Sequence, residues 1–149
     1  MRALVQRVSE GWVKIESESY FREIGKGIVI LLGIHNSDTE KEVDFVADKC
    51  SNLRIFEDNQ NKMNLSVKDI DGEVLVISQF TLYGDARKGN RPSFTEAALP
   101  EYANKLYELF LSKMKNNLSD NKVQSGLFGE MMQVKIMNEG PVTILIESK

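Results

Sequence analysis

The sequence predicts a single α+β domain in which an antiparallel, barrel-like sheet packs against two helices. Strand-like segments outnumber helical ones, and short turns join many of them. Only two segments carry apolar residues at helical spacing. No repeat, low-complexity tract or linker interrupts the chain, so we expect residues 1–149 to form one domain.

The first third of the chain is predicted to be strands. Residues 2–9 and 11–15 are apolar enough to be strands, and Gly11 between them indicates a bulge or a tight bend. Residues 20–24 form the next strand and run into Gly25-Lys26-Gly27, which is typical of a hairpin turn.

A buried strand and the first helix follow. Residues 28–34 are apolar on both faces, which predicts a central strand covered on both sides. Ser37 with Glu40 three residues later fits a capping box, which predicts the start of a helix. Cys50 lies on the apolar stripe of that helix and is expected to be a buried core thiol rather than a reactive one.

The middle of the chain alternates strands with a second helix. Residues 53–66 indicate a short strand, a turn and a return strand, and residues 73–77 a buried strand. The second helix is expected to begin near Pro100, which a first turn tolerates, and to end at Asn116-Asn117. Its predicted core face consists of Ala103, Leu106, Tyr107, Phe110 and Met114.

The last third is predicted to be a hairpin. Strands over residues 132–137 and 142–146 flank a turn at residues 138–141. Asn138-Glu139-Gly140-Pro141 is ordinary turn chemistry, although a cis peptide bond before Pro141 would indicate a functional element.

Composition excludes several classes of protein. The chain is 42% hydrophobic and 28% charged, which argues against disorder, and no apolar run reaches the ~18 residues of a membrane span. One cysteine and one histidine cannot build a Cys/His zinc site, and phosphate-loop and dinucleotide motifs are missing. We therefore predict a cytoplasmic protein without metal, cofactor or membrane contact.

The charge is unevenly distributed along the chain. A net charge of −3 argues against a general nucleic-acid coat, which would be strongly basic. Nevertheless, one glycine-containing loop carries an excess of positive charge, with Arg87, Lys88 and Arg91 but only one acid, Asp85. This loop is either a solvated basic loop or a local phosphate contact.

Two segments are candidates for chemistry. Ser78-Gln79-Phe80-Thr81 ends a buried strand, where hydroxyls and amides can face a ligand or simply satisfy the backbone. Asn138-Glu139-Gly140-Pro141-Val142-Thr143 is the second. His35 could serve a Ser/His/Asp triad, but a surface-loop histidine is the better interpretation.

With Leu82, these two segments resemble the two signatures of the D-aminoacyl-tRNA deacylases, also called D-tyrosyl-tRNA deacylases. Further segments resemble the family in the same order, so the resemblance covers essentially the whole chain: residues 1–8, 52–58, 62–66, 88–94 and 126–129. Glu130 departs from the family's common Ala, and Glu139 from its frequent Asp.

The resemblance implies a homodimer that hydrolyses the ester between a D-amino acid and the 3′ end of tRNA. Glycine mischarged on tRNA is also an expected substrate. Gly140-Pro141 would be a cis element that enters the pocket of the partner subunit, where its carbonyls clash with an L side chain. Arg7 would anchor this gate, and Asn138 and Thr143 would brace it.

The resemblance also implies roles around the ester. Backbone N–H groups near Phe80 and Thr81 would hold the oxyanion, and the 2′-hydroxyl of the tRNA would help to activate water. Thr81 as a nucleophile is the alternative, but it lacks an evident base. Ser78 and Gln79 would bind the substrate end and Phe80 the terminal adenine. Arg87, Lys88 and Arg91 would meet phosphates, and Met132 would either line the adenosine pocket or pack in the core.

Three other functions compete with this one. A non-catalytic RNA- or DNA-binding module would keep the basic loop but not both motifs. A deacylase with relaxed chirality would replace Gln79 and Arg7. A small-molecule esterase would cleave a free D-aminoacyl ester well.

Overall fold

A long β-hairpin forms the middle of the sheet. The computed structural model describes residues 1–149, and in it β1 (Arg2–Ile15) pairs antiparallel with both β2 (Tyr20–Ile24) and β3 (Gly27–Gly33). One register runs through both pairings, so β2 and β3 are two halves of one arm. The predicted hairpin between residues 20–24 and 28–34 is therefore wrong, because the chain reverses before Tyr20 instead. The predicted bulge or bend lies slightly earlier than Gly11: Gly11 itself pairs with Ile24, whereas the register between β1 and the last strand of the chain shifts between Val8 and Glu10.

The other half of the sheet is parallel. Strand β6 (Glu73–Ser78) runs parallel to β3, and β7 (Val123–Ser125) runs parallel to β6. The prediction of an antiparallel sheet is wrong here, because each of these connections carries a helix across the sheet, as a parallel pair requires. The strand order in the sheet is β2-β1-β3-β6-β7. Tyr20 Oη on β2 donates to the carbonyl oxygen of Ser125 on β7 at 2.6 Å, so the first and last strands of this order are joined and the sheet is barrel-like.

Two helices and a small hairpin lie in these crossovers. Helix α1 (Glu40–Asn52) and the pair β4 (Phe56–Glu57) and β5 (Met63–Leu65) connect β3 to β6. Helix α2 (Pro100–Asn117) lies between β6 and β7. Both helices and the short hairpin confirm the sequence predictions. Neither helix is long and apolar enough to cross a membrane.

Helix α1 begins later than the sequence pattern indicated. The capping box consists of Thr39 and Glu42 rather than Ser37 and Glu40, and Glu42 Oε2 accepts from Thr39 N at 2.7 Å. These hydrogen bonds from Thr39 lower the pKa of Glu42 to about 2. Ser37 does not cap the helix, because its Oγ interacts with His35 Nδ1 at 2.9 Å instead.

The core has two parts, one on each face of the sheet. The larger part lies between the sheet and the two helices and includes the predicted face of α2 and the fully buried Cys50, as expected. Burial raises the pKa of the Cys50 thiol, which keeps it protonated and unreactive. The smaller part lies on the opposite face and consists of Val8, Val13, Ile15, Ile24, Val29, Leu75 and Ile77.

Strand β8 (Gln133–Glu147) completes the sheet and pairs only with β1. The predicted hairpin is wrong, because the chain does not reverse at residues 138–141. Gln6 pairs with Thr143 and Val8 with Asn138, so residues 139–142 bulge out of a continuous strand opposite Arg7. The other edge of β8 pairs with no strand of this chain.

Candidate functional site

The first candidate segment begins where β6 ends. Ser78 is the last residue of β6, and Gln79 N still donates to the carbonyl oxygen of Leu32 at 2.8 Å. The chain then turns into a short 3-10 helix, Phe80–Tyr83. The strand-end motif, Ser78–Thr81, is thus fixed at one end by the sheet and at the other by this helix.

The motif offers hydrogen-bond donors to a ligand. The side-chain amide of Gln79 donates to Thr81 Oγ1, while the Thr81 side chain itself is exposed. Phe80 and Thr81 are the first two residues of the 3-10 helix, so their backbone N–H groups have no acceptor within the chain. No acid, lysine or histidine bonds to Thr81.

Arg2 supports the 3-10 helix from β1. Its Nη1 donates to the carbonyl oxygen of Leu82 at 2.9 Å, and its guanidinium lies 4.6 Å from the centre of the Tyr83 ring. His35 contacts the same ring, with 5.2 Å between ring centres. His35 is therefore a half-buried loop residue packed behind the motif, and it forms no triad.

The second candidate segment is the excursion of β8, residues 139–142. The Gly140–Pro141 peptide bond is cis, and Gly140 has a φ of 125°. Both residues are exposed. A Cβ atom on Gly140 would lie 2.8 Å from Val142 Cγ2 and 3.1 Å from Arg7 Nη2, so this position accommodates only glycine without adjustment.

Arg7 ties the excursion to the body of the domain. Its Nε donates to the carbonyl oxygen of Glu139 at 3.1 Å, and its Nη1 donates to that of Ile55 at 2.7 Å. The side chain is buried, with the residue 8% exposed. Arg7 is thus next to the Gly-Pro element, but its bond goes to the carbonyl that precedes Gly140, and its role as an anchor of the Gly-Pro carbonyls stays a prediction.

Asn138 and Thr143 close the base of the excursion. Asn138 Nδ2 donates to Thr143 Oγ1 at 2.9 Å, and Asn138 Oδ1 accepts from Val142 N at 3.3 Å. These two contacts bridge the ends of the excursion.

The two segments do not meet within one chain. The excursion lies opposite Arg7, which pairs with Ile28 on β3, whereas Ser78 pairs with Leu32 four residues further along. Strands β1 and β3 separate β8 from β6. Three strand spacings of about 4.8 Å and about 13 Å along the strands therefore lie between the segments on an unrolled sheet.

The basic loop lies beside the strand-end motif. Asp85 and Ser93 exchange backbone hydrogen bonds of 2.8 and 2.9 Å, which close a loop over residues 86–92. Arg87 makes a bidentate pair with Asp85, at 2.8 and 2.7 Å, which holds the pKa of Asp85 near 2. Lys88 and Arg91 are exposed and form no ion pair, so they are the two free cations of the loop.

Sequence reasoning gave no role to Phe94, which the structure places against Phe80. The ring centres are 5.0 Å apart at an interplanar angle of 67°, and the residues are 36% and 58% exposed, respectively. An aromatic residue two positions after a basic loop was the available signal, since proteins that bind single strands combine cations with stacking rings. Met132 packs against the smaller core, with its sulfur close to Gly126, which favours the packing alternative, and Glu130 is exposed.

No group of three or more His, Cys, Asp or Glu side chains is placed so that it could hold a metal ion. The site therefore consists of backbone donors, amide and hydroxyl side chains, aromatic rings and two free cations.

Comparisons with known proteins agree over the full chain. The model of the D-Tyr-tRNA(Tyr) deacylase family matches residues 4–147. A D-aminoacyl-tRNA deacylase of Macrococcus caseolyticus is 54% identical over 149 residues, covering 100% of this chain and 97% of that protein. A solved structure described as c-Myc DNA Unwinding Element Binding Protein is 42% identical with a TM-score of 0.94, covering 100% of this chain and 99% of the other.

The fold persists at lower identity. A structure described as a probable eukaryotic D-amino acid tRNA deacylase has a TM-score of 0.86 at 17% identity, covering 97% of both chains. The chain belongs to the D-Tyr-tRNA(Tyr) deacylase family, and the enzyme class predicted from the sequence, a D-aminoacyl-tRNA deacylase, is confirmed.

Proposed function

We propose that this protein hydrolyses the ester of D-aminoacyl-tRNA and of glycine mischarged on tRNA, and rejects L-amino acids at a Gly140–Pro141 gate. The observation that carries the proposal is that both candidate segments are intact and separately braced in one chain of the family. An aminoacyl ester is already activated, so it needs positioned water and donors for the oxyanion more than a strong nucleophile.

The strand-end motif supplies the donors. The unpaired N–H groups of Phe80 and Thr81 are suited to the developing oxyanion, because they cost no reorganisation when charge develops. Gln79 holds the Thr81 hydroxyl by donating to it, and no base accepts the hydroxyl proton. These contacts support an orienting Thr81 over a nucleophilic one.

The water needs a proton acceptor that the motif does not provide. We infer that the terminal 2′-hydroxyl of the tRNA takes part in activating it. Replacing this hydroxyl by hydrogen is expected to slow hydrolysis greatly, and an unchanged rate would remove RNA assistance from the mechanism.

The gate requires a second subunit. Because the excursion and the strand-end motif lie apart in one chain, a substrate can meet both only in a homodimer that brings one protomer's excursion to the other's motif. The free edge of β8 and its exposed Met137, Ile144 and Leu145 support such an assembly, since a long unpaired apolar edge otherwise promotes uncontrolled pairing. Sedimentation equilibrium is expected to give a dimer, and a monomer that retains activity would refute the shared site.

Rejection of L-amino acids follows from repulsion in this proposal. The exposed Gly140–Pro141 carbonyls would face the amino acid's α-carbon and leave no room for an L side chain, whereas glycine has none to exclude. The cytoplasmic location and the bound 3′-terminal adenosine remain predictions of the same proposal.

The direct test compares three esters on one tRNA: D-tyrosyl, L-tyrosyl and glycyl. Loss of the D ester and the glycyl ester with survival of the L ester is expected. Hydrolysis of all three would mean that the gate does not exclude L-amino acids, and Glu130 would be the first residue to replace. A free D-aminoacyl ester, cleaved as well as the tRNA ester, would indicate a small-molecule esterase.

A second candidate function is binding of DNA. It rests on the name of the solved structure at 42% identity, which refers to a DNA unwinding element. Survival of all three esters together with binding of a DNA element at physiological salt would favour it.

A further inference from the structure

We propose that Phe80, Phe94, Lys88 and Arg91 form a binding ledge for the last two nucleotides of a single-stranded RNA end. Phe94 holds the base of the nucleotide that precedes the 3′-terminal adenosine. The inference rests on the proposed function, in which Phe80 contacts that adenosine, and extends it to a second nucleotide.

The two rings offer free aromatic surface side by side. Both phenylalanines are exposed although they contact each other, and Phe80 keeps more than half of its surface free. Single-stranded nucleic acids bind on such rings because every base has a π-face, so stacking tolerates any sequence. The rings are inclined by 67°, so two bases lying on them cannot stack on one another. The ledge therefore suits a splayed strand, which is how proteins commonly hold unpaired RNA.

The position of Phe94 is fixed rather than adjustable. A Cβ atom on Gly84 would lie 3.0 Å from Phe94 Cε1, so the ring rests directly on the backbone of this glycine. The neighbouring Ser93 is bonded to Asp85 through both backbone groups. A ring held in place before the ligand arrives costs less entropy on binding.

The charge beside the rings has the sign of a phosphate partner. Residues 86–92 contain no acid, and Asp85 is already paired with Arg87. Lys88 and Arg91 are thus uncompensated, and Arg91 lies three residues from Phe94, within about 11 Å of chain. A strand leaving Phe94 therefore runs past cations that its phosphates can meet.

Binding of a non-hydrolysable RNA tests the ledge. The probe is an oligonucleotide ending in C-C-A that carries D-tyrosine through an amide, and its comparison lacks the base of the next-to-last nucleotide. Wild-type protein is expected to bind the complete probe about 5- to 150-fold more tightly than the abasic one. Phe94→Ala is expected to bind both probes equally, at the affinity of wild type for the abasic probe.

Two matched variants keep the result interpretable. Phe45→Ala removes a similarly exposed phenylalanine, 44% against 36% for Phe94, from α1 and is expected to behave as wild type. Phe94→Trp preserves a stacking surface and is expected to preserve the discrimination. A Phe94→Ala protein that discriminates as well as wild type, or that loses equal affinity for both probes, would overturn the proposal.

Salt dependence tests the phosphate contacts. Lys88→Gln and Arg91→Gln are each expected to reduce the slope of log affinity against log salt concentration by about 0.7, and Lys105→Gln on α2 is expected to leave it unchanged. Equal slopes for all three variants would remove Lys88 and Arg91 from the ledge.

Hydrolysis separates this proposal from the proposed function. Phe94→Ala is expected to slow cleavage of D-tyrosyl-tRNA about 5- to 150-fold more, in kcat/KM, than cleavage of D-tyrosyl-adenosine, which lacks the second nucleotide. Equal slowing with both esters would show that Phe94 only supports Phe80. If wild type cleaves neither ester, the proposed function fails, while the binding experiment still decides on the ledge.

Discussion

The strand-end motif and the excursion of β8 are held by different means. The side chains of the motif bond to one another, Gln79 to Thr81 two residues away, while its backbone is fixed to the sheet at Leu32. The excursion depends on Arg7, which is distant in sequence and is itself bonded to Ile55. Both segments have a local side-chain bond, but only the excursion is held by a buried arginine whose second bond goes to another part of the chain, so it is the more sensitive to a change that moves β1 or the segment before β4.

The largest effect is expected from Gly140→Ala. The added methyl group would crowd Val142 and Arg7 Nη2, and the φ of 125° is unfavourable for alanine. A displacement of about 1 Å at the gate is expected to reduce kcat/KM for D-tyrosyl-tRNA at least about 100-fold while the protein stays folded. Circular dichroism and deacylation rates measure the two effects.

Gly129→Ala is the matched control for backbone strain. Gly129 also has a positive φ, of 81°, but its added Cβ atom would meet nothing within 4 Å. If Gly140→Ala and Gly129→Ala lose activity equally, or if Gly140→Ala keeps full activity, the gate model fails.

Arg7→Met is expected to have the next largest effect. It leaves the carbonyl groups of Glu139 and Ile55 without their donor, which is expected to cost about 1–3 kcal/mol in the free energy of unfolding. Thermal unfolding measures the loss, and hydrolysis of L-tyrosyl-tRNA measures the loosened gate. Arg54→Met, which removes one exposed bond to a backbone carbonyl, serves as control and should change neither strongly. An unchanged unfolding temperature for Arg7→Met would contradict the bracing role.

Thr81→Ala tests whether Thr81 orients the substrate or attacks it. Loss of one hydrogen bond with Gln79 is expected to slow hydrolysis by about tenfold or less, and Thr81→Ser by less still. Gln79→Ala combined with Thr81→Ala should show non-additive effects, because the two side chains act as a pair. Complete loss of turnover in Thr81→Ala with recovery in Thr81→Ser would instead establish a nucleophile.

The smallest effect is expected from Asp85→Asn, which frees Arg87. The released cation can meet RNA phosphates, so the affinity for tRNA should rise and its salt dependence should steepen by about 0.7 in slope. The folded-state pKa of Asp85 is depressed to about 2, so the ion pair is complete above the ordinary carboxyl pKa and is lost only as the pH falls through about 2. The effect of the substitution should therefore be constant across neutral pH, and a reduced affinity would contradict the proposed phosphate contact.

Much of the fold followed from local patterns in the sequence. The core face of α2, the buried Cys50 and the central strand before α1 are set by residues within one element, so periodicity alone revealed them. Local patterns gave the wrong prediction where the pairing of distant strands decides the structure. The segment Gly25-Lys26-Gly27 has the composition of a hairpin turn, yet β1 pairs along both flanking strands and keeps them in line.

The candidate site also has features that the sequence determined and features that depend on the tertiary structure. By itself, the sequence determined the residue types of the two segments and, through their resemblance, the family, because chemistry and order along the chain are properties of the sequence. Only the tertiary structure decided that residues 138–143 belong to a continuous edge strand, that Arg7 bonds to the carbonyl of Glu139, that Arg87 is neutralised by Asp85 and that Phe94 adjoins Phe80. These are contacts whose existence depends on strand register and on loop closure, and neither quantity can be read from neighbouring residues.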